Sequence, residues 1–197
     1  MEDMRLIRAG IDIIALARLS RVLKRNPRFF LPLCSAQEKP ELCSDQYEGL
    51  WRAACLWTVK EATAKCLGTG FWRQNVEWPD VIVQDMNFAP LHHLAQQDLD
   101  FATLDTALDT ALDTVLDTVL DTVSDTTRTK TIQVSIQLSG TAQKLFPHAV
   151  FKGHFELFTS SSLKSQAHAL ATNMSSRIDE LSTAQLYALA RVEMYQY

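Results

Sequence analysis

Trp57-Thr58-Val59-Lys60-Glu61-Ala62-Thr63-Ala64-Lys65-Cys66-Leu67-Gly68-Thr69-Gly70 carries more structural instruction than any other stretch of the chain. It is a good helix-forming run that stops at a glycine able to take the left-handed conformation of a helix end. Residues four apart share a helix face, so Glu61 and Lys65 project side by side. The acidic member of such a pair suits a hard divalent cation and the basic member suits a phosphate. The same spacing also describes an ordinary surface helix pair worth a few tenths of a kcal/mol. Upstream, Ala9-Gly10-Ile11-Asp12-Ile13-Ile14 reads as an apolar strand carrying a second carboxylate. Asp12 and Glu61 are therefore candidate metal ligands, with Lys65 beside them to neutralise phosphate charge and Glu61, or a nearby water, to accept a proton.

Around this centre, a strand is expected over residues 6–14 and a helix over 14–24. Leu16, Leu19, Val22 and Leu23 are apolar at helical spacing, and Asn26-Pro27 ends the run. The opposite face of that helix carries Arg18, Arg21, Lys24 and Arg25. The longest helix should span 47–67, and Trp57 within it reads as a core residue. A strand is expected over 76–83. Residues 131–138, Thr-Ile-Gln-Val-Ser-Ile-Gln-Leu, alternate apolar and polar side chains as a half-buried strand does. A turn at Ser139-Gly140 leads to a short helix over 142–146, then a hairpin over 154–158 and 167–171. Leu181, Leu186, Leu189, Ala190 and Val192 suggest a C-terminal helix over about 178–195.

A chain of 197 residues supports one well-filled core, and 47% apolar with 21% charged residues is ordinary for a soluble globular protein. Arg5, Arg8, Asp12 and Arg18 interrupt any signal-peptide core in the first 19 residues, and no apolar run reaches membrane-spanning length, so a cytoplasmic protein is expected. Cys34, Cys43, Cys55 and Cys66 show no Cys-x-x-Cys spacing and read as reduced structural thiols; the histidines show no zinc-helix spacing.

The formal net charge of −4 conceals an asymmetry. Residues 103–127 hold six aspartates and no lysine or arginine; without them, 19 basic residues face 17 acidic ones. The body is thus mildly basic, which suits an anionic cofactor or an acidic partner and falls short of a nucleic-acid footprint. The aspartates belong to a Leu-Asp-Thr-Ala/Val unit repeating every four residues. Thr, Val and Asp have weak helix propensity, so the tract reads either as a disordered or marginally helical insertion, at about 95–129, or as a partner-binding amphipathic helix.

Gly10-Ile11-Asp12, with Arg18 six residues beyond the aspartate, resembles the first motif of the 4′-phosphopantetheinyl transferase superfamily, nearest its short holo-acyl-carrier-protein synthase type. Trp57-Thr58-Val59-Lys60-Glu61-Ala62-Thr63-Ala64-Lys65 is similar to the second, W-x-x-K-E-A-x-x-K, and Leu67-Gly68-Thr69-Gly70 to the turn that follows it. Ser35 and Glu38 resemble an intervening S/T-x-x-E element, and Leu138-x-Gly140-x-Ala142 a later one.

The resemblance implies an α+β fold, an antiparallel sheet packed against a long helix, as one domain with the acidic insertion and a C-terminal helical extension at about 176–197. It implies magnesium-dependent transfer of the phosphopantetheine arm of coenzyme A to a serine of an acyl or peptidyl carrier protein, in fatty-acid, polyketide or related synthesis. Asp12 and Glu61 would hold the magnesium, with Asp12, Glu61 and Lys65 the catalytic set. Lys65, Lys60, Gly68, Thr69 and Gly70 would contact the cofactor. Arg18, Arg21, Lys24 and Arg25 would dock the acidic carrier, and the assembly would be a homotrimer.

The sequence departs from the family pattern at Thr159-Ser160-Ser161-Ser162, where Ser162 stands in place of the histidine of an S-x-S-H element. Residues Leu56-Trp57-Thr58 are nearer the larger, two-lobed members. These departures and the insertion leave open a non-catalytic carrier-binding or assembly protein on the same fold. A different metal-dependent phosphotransferase is the weaker alternative, since no nucleotide-binding glycine loop is present.

Overall fold

The computed structural model describes residues 4–38, 46–89, 131–159 and 186–196. Five strands form one antiparallel sheet in the order β1-β5-β4-β3-β2. In chain order the elements are β1 (Arg5–Ala15), α1 (Leu16–Arg25), α2 (Gln46–Leu67), β2 (Val81–Gln84), β3 (Thr131–Leu138), α3 (Gly140–Leu145), β4 (Ala149–Thr159) and β5 (Leu186–Gln196). The acidic repeat, Cys43, His92-His93, the 167–171 strand, residues 160–162 and the 176–185 part of the C-terminal extension lie outside the described residues.

Helix α2 lies across one face of the sheet, chiefly over β1 and β5. Trp51, Ala53, Ala54, Cys55, Leu56, Val59, Ala62, Ala64, Cys66 and Leu67 are all buried, so the helix is covered on most of its circumference. Its alanines keep the helix surface low, and its buried hydroxyls are satisfied locally. Thr58 donates to the Ala54 carbonyl (2.8 Å) and Thr63 to the Val59 carbonyl (2.7 Å), each one turn back.

Strand β1 meets this helix without a side chain between them at Gly10. A Cβ built there would lie 2.0 Å from the Ala62 carbonyl oxygen and 3.0 Å from the Cys66 nitrogen. Those neighbours are helix backbone and cannot turn aside. Glycine is thus the residue that permits the contact.

The expected α+β architecture is present, and α2 and β3 span the anticipated residues. Two readings are corrected. The strand expected over 76–83 begins only at Val81, because Trp78–Asp80 forms a 3-10 turn. Pro79 lacks an N–H for a strand ladder, and Asp80 accepts from the Glu77 N–H at 3.2 Å.

The expected C-terminal helix is, over residues 186–196, strand β5. Ala188, Ala190, Val192 and Met194 are buried while Arg191 is exposed. That alternation has the strand period of two. Ala, Leu, Arg, Glu and Met are good helix formers in isolation; pairing along nearly the whole length of both β1 and β4 overrides that preference.

Gly10→Ala should separate β1 from α2 and cost about 3 kcal/mol, the upper end for overpacking. Thermal denaturation of the variant against wild type checks this; an unchanged melting temperature would mean that the two elements do not touch there.

Candidate functional site

Residues 8, 10 and 12 of β1 share the face that meets α2, being paired with Met194, Val192 and Ala190 of β5, all buried. The close approach at Gly10 therefore brings Asp12 against the helix. The Lys65 ammonium donates to Asp12 Oδ1 at 2.8 Å and to the Ile11 carbonyl at 2.7 Å. Glu61 stands one turn before Lys65 on the same helix face.

The electrostatics tie the three groups together. Burial holds the Asp12 carboxyl above its ordinary value, against the hydrogen bond and charge of Lys65 and a bond from the Ile13 backbone. Burial also raises Glu61; the negative charge of Asp12 adds to that and Lys65 opposes it. Two carboxylates thus share a partly dehydrated seam with one lysine. The fold brings Asp12, Glu61 and Lys65 together from positions 49 and 53 residues apart along the chain.

Beyond Lys65 the helix closes at Gly68 (φ +72°), whose N–H is shared between the Ala64 and Lys65 carbonyls at 3.1 Å each. Gly70 is also left-handed (φ +63°). Arg8 donates to the last helical carbonyl, that of Leu67, at 3.1 Å. Sequence reasoning passed over Arg8, because nothing in its local context marks which face of the strand it occupies.

Lys60 is not part of this seam. It is 1% exposed, and its ammonium donates to Glu38 Oε2 (2.9 Å), the Trp78 carbonyl (3.0 Å) and the Val81 carbonyl (2.5 Å). An ammonium has three protons, so none is left for a cofactor. The cofactor contact expected of Lys60 would require it to give up one of these three bonds. Glu38 completes the network by accepting from the Ser35 N–H (2.6 Å) and the Val83 N–H (2.8 Å). Burial pushes the Lys60 ammonium below its ordinary value, and Glu38 opposes the shift.

On α1, Arg18, Arg21, Lys24 and Arg25 are all exposed, while Leu16 and Leu19 point into the core. Trp57 packs between Phe29 (5.8 Å between ring centres) and Trp78 (4.9 Å), in keeping with a core role. Cys34, Cys55 and Cys66 are buried free thiols. Burial raises Cys55 strongly and pushes Cys66 up to about 11, so neither is a ready nucleophile. Among the described residues no group of three or more His, Cys, Asp or Glu side chains converges on a metal position, and no helix is long and apolar enough to cross a membrane.

Residues 8–112 match the family model of the 4′-phosphopantetheinyl transferase superfamily. The chain is 33% identical over 94 residues to a holo-[acyl-carrier-protein] synthase of Alkaliphilus metalliredigens, covering 47% of this chain and 75% of that protein. A protein of the same name from Moorella thermoacetica is 34% identical over 96 residues, covering 47% and 73%. The crystal structure of the holo-[acyl-carrier-protein] synthase of Neisseria meningitidis aligns over 96% of this chain and 98% of its own, with 15% identity and a TM-score of 0.49.

The raised carboxyls set the sign of a pH effect. A carboxyl whose folded value lies above its unfolded one stabilises the fold at low pH and loses that contribution as pH rises through the folded value. Metal-free Asp12→Asn and Glu61→Gln proteins should therefore melt no lower than wild type at neutral pH. Their advantage should grow as pH rises above the ordinary values of 3.8 and 4.5. Melting curves across pH 3 to 8 check the sign; variants that are less stable at neutral pH would contradict it.

Proposed function

Because the chain belongs to the 4′-phosphopantetheinyl transferase superfamily, we propose that it transfers the 4′-phosphopantetheine arm of coenzyme A to a serine of an acyl or peptidyl carrier protein. The observation that carries this reading is the meeting of Asp12 with Lys65, on the helix face of Glu61, inside the matched segment. The serine oxygen forms a bond to the phosphorus carrying the pantetheine arm as the pyrophosphate bridge breaks. Adenosine 3′,5′-bisphosphate leaves.

The donor set fits a magnesium ion. Two hard carboxylate oxygens from neighbouring elements are what magnesium takes from a protein when substrate phosphate and water complete its shell. Asp12 and Glu61 would hold it, and both carry a burial cost that a bound cation relieves. The ion supplies charge neutralisation at the pyrophosphate. Lys65, half exposed and hydrogen-bonded to Asp12, can swing its ammonium to a phosphate oxygen. Glu61 accepts the serine proton, directly or through water.

The exposed arginines and lysine of α1 support docking of an acidic carrier by charge. The same reading makes the protein cytoplasmic and a homotrimer, built of a single transferase domain interrupted by the acidic repeat. Leu6 and Ile7, exposed on the outer strand β1, support a covered edge.

Incubation with coenzyme A, magnesium and an apo carrier should add the arm, read as an intact-mass increase of the carrier, and chelation should stop it. Asp12→Asn and Glu61→Gln should each lose roughly a hundredfold or more in rate, the scale of a lost transition-state charge contact, with the fold intact. A folded, magnesium-supplied protein that modifies no acyl or peptidyl carrier would sink the reading.

A further inference from the structure

Helix α1 presents an exposed face of a single charge sign. The helix contains no acidic residue, and Arg18, Arg21, Lys24 and Arg25 are all exposed. Arg18, Arg21 and Arg25 follow one another at intervals of three and four, so they share a helix face and repel one another. Among the described residues no carboxylate pairs with Arg18, Lys24 or Arg25. The face begins at Arg18, six residues beyond Asp12, and so borders the Asp12–Lys65 seam.

The chain carries its own complement to this face. Asp105, Asp109, Asp113, Asp117, Asp121 and Asp125 recur every four residues, and the 103–127 segment holds no lysine or arginine. The strand register fixes where that segment leaves and rejoins the fold. Strand β3 begins at Thr131, whose row runs through Glu156 and Leu189 to Ile13. Ile13 lies two residues before the end of β1, and α1 follows directly. Strand β2 is antiparallel to β3 and ends at Gln84 opposite Ser135, so it leaves towards the same end of the sheet. Both ends of the connection therefore lie at the sheet end from which α1 starts. Three strand spacings separate β3 from β1, about 14 Å. Asp125 is six residues before Thr131, a length of chain that reaches up to roughly 20 Å.

We propose that the aspartates of the 103–127 segment dock on the basic face of α1 in the same chain and compete there with the acidic carrier protein. This rests on the transferase reading, which gives that face to the carrier. Charge pairing of this kind needs no fixed conformation of the acidic partner; each exposed pair is worth little, and several act together. A short tether places the segment at a high effective concentration, so a weak contact competes with a more dilute carrier. The competition concerns the carrier alone, because on the same reading coenzyme A is held at Asp12, Glu61 and Lys65. Salt screens the contact, since both partners are exposed.

Carbodiimide coupling joins a lysine amine to a carboxylate it touches. In the full chain it should link Lys24 to one of the six aspartates within a single molecule, read by peptide mass spectrometry, and salt of about 1 M should abolish the link. Asp→Asn at all six positions should lower the KM for the carrier roughly tenfold, the scale of a few exposed pairs acting together, and leave that for coenzyme A unchanged. Asp→Glu at the same positions should behave as wild type. A peptide of residues 103–127 added to the asparagine variant should restore the higher KM in competition with the carrier. An unchanged carrier KM, or the absence of a Lys24 link, overturns the proposal. So does a link found only between two chains, which would make the occupant a second copy. Should the asparagine variant not fold, the Lys24 link in the wild-type chain decides. A chain that modifies no carrier removes the transferase reading and the competition with it, while the Lys24 link still decides the docking.

Discussion

The backbone contact between β1 and α2 at Gly10 is the constraint on which the site depends. A helix resting on a sheet normally stands off by the length of its intervening side chains. Here the Ala62 carbonyl occupies the space a Cβ would need. That lowers the helix until Lys65 reaches both the Ile11 carbonyl and the Asp12 carboxylate. The same closeness dehydrates the Asp12 and Glu61 carboxylates and raises both. Packing and chemistry are thus two consequences of one glycine.

Rotation of the helix about its axis is set on its other side. Lys60 and Glu38 form a buried ion pair in which lysine spends its three protons and both carboxylate oxygens accept backbone or lysine donors. A buried pair gains little stability over an apolar one, yet it demands a single geometry. It ties α2 to the 35–38 turn and to the start of β2. Lys60 and Glu61, adjacent in sequence, therefore point to different places: one into the core, one into the seam.

Much of this was legible in the sequence. Residues 131–138 alternate so regularly that the strand could be placed to the residue, and the glycine at 68 fixed the end of α2. Motif resemblance, not spacing, implied one site for Asp12, Glu61 and Lys65; the direct hydrogen bond between Asp12 and Lys65 was not anticipated, since a carboxylate and a lysine 53 residues apart carry no local signal. Strand β5 was missed because Leu-Ala-Arg-Val-Glu-Met is helix-favouring composition, and its period of two is blurred by small alanines. Lys60 and Lys65 could not be told apart by type; only burial separates Lys60, held in the core, from Lys65, half exposed at the seam. Arg8 was invisible, because the bulge that precedes it is a property of the β1–β5 pairing.

The most direct measurement of the central claim is a crystal structure grown with coenzyme A and manganese in place of magnesium, with anomalous scattering used to find the metal. The account predicts one peak, within roughly 2.0–2.3 Å of a carboxylate oxygen of Asp12 and one of Glu61, at the seam that Gly10 closes. A metal elsewhere, or one bound by only one of the two carboxylates, would contradict it.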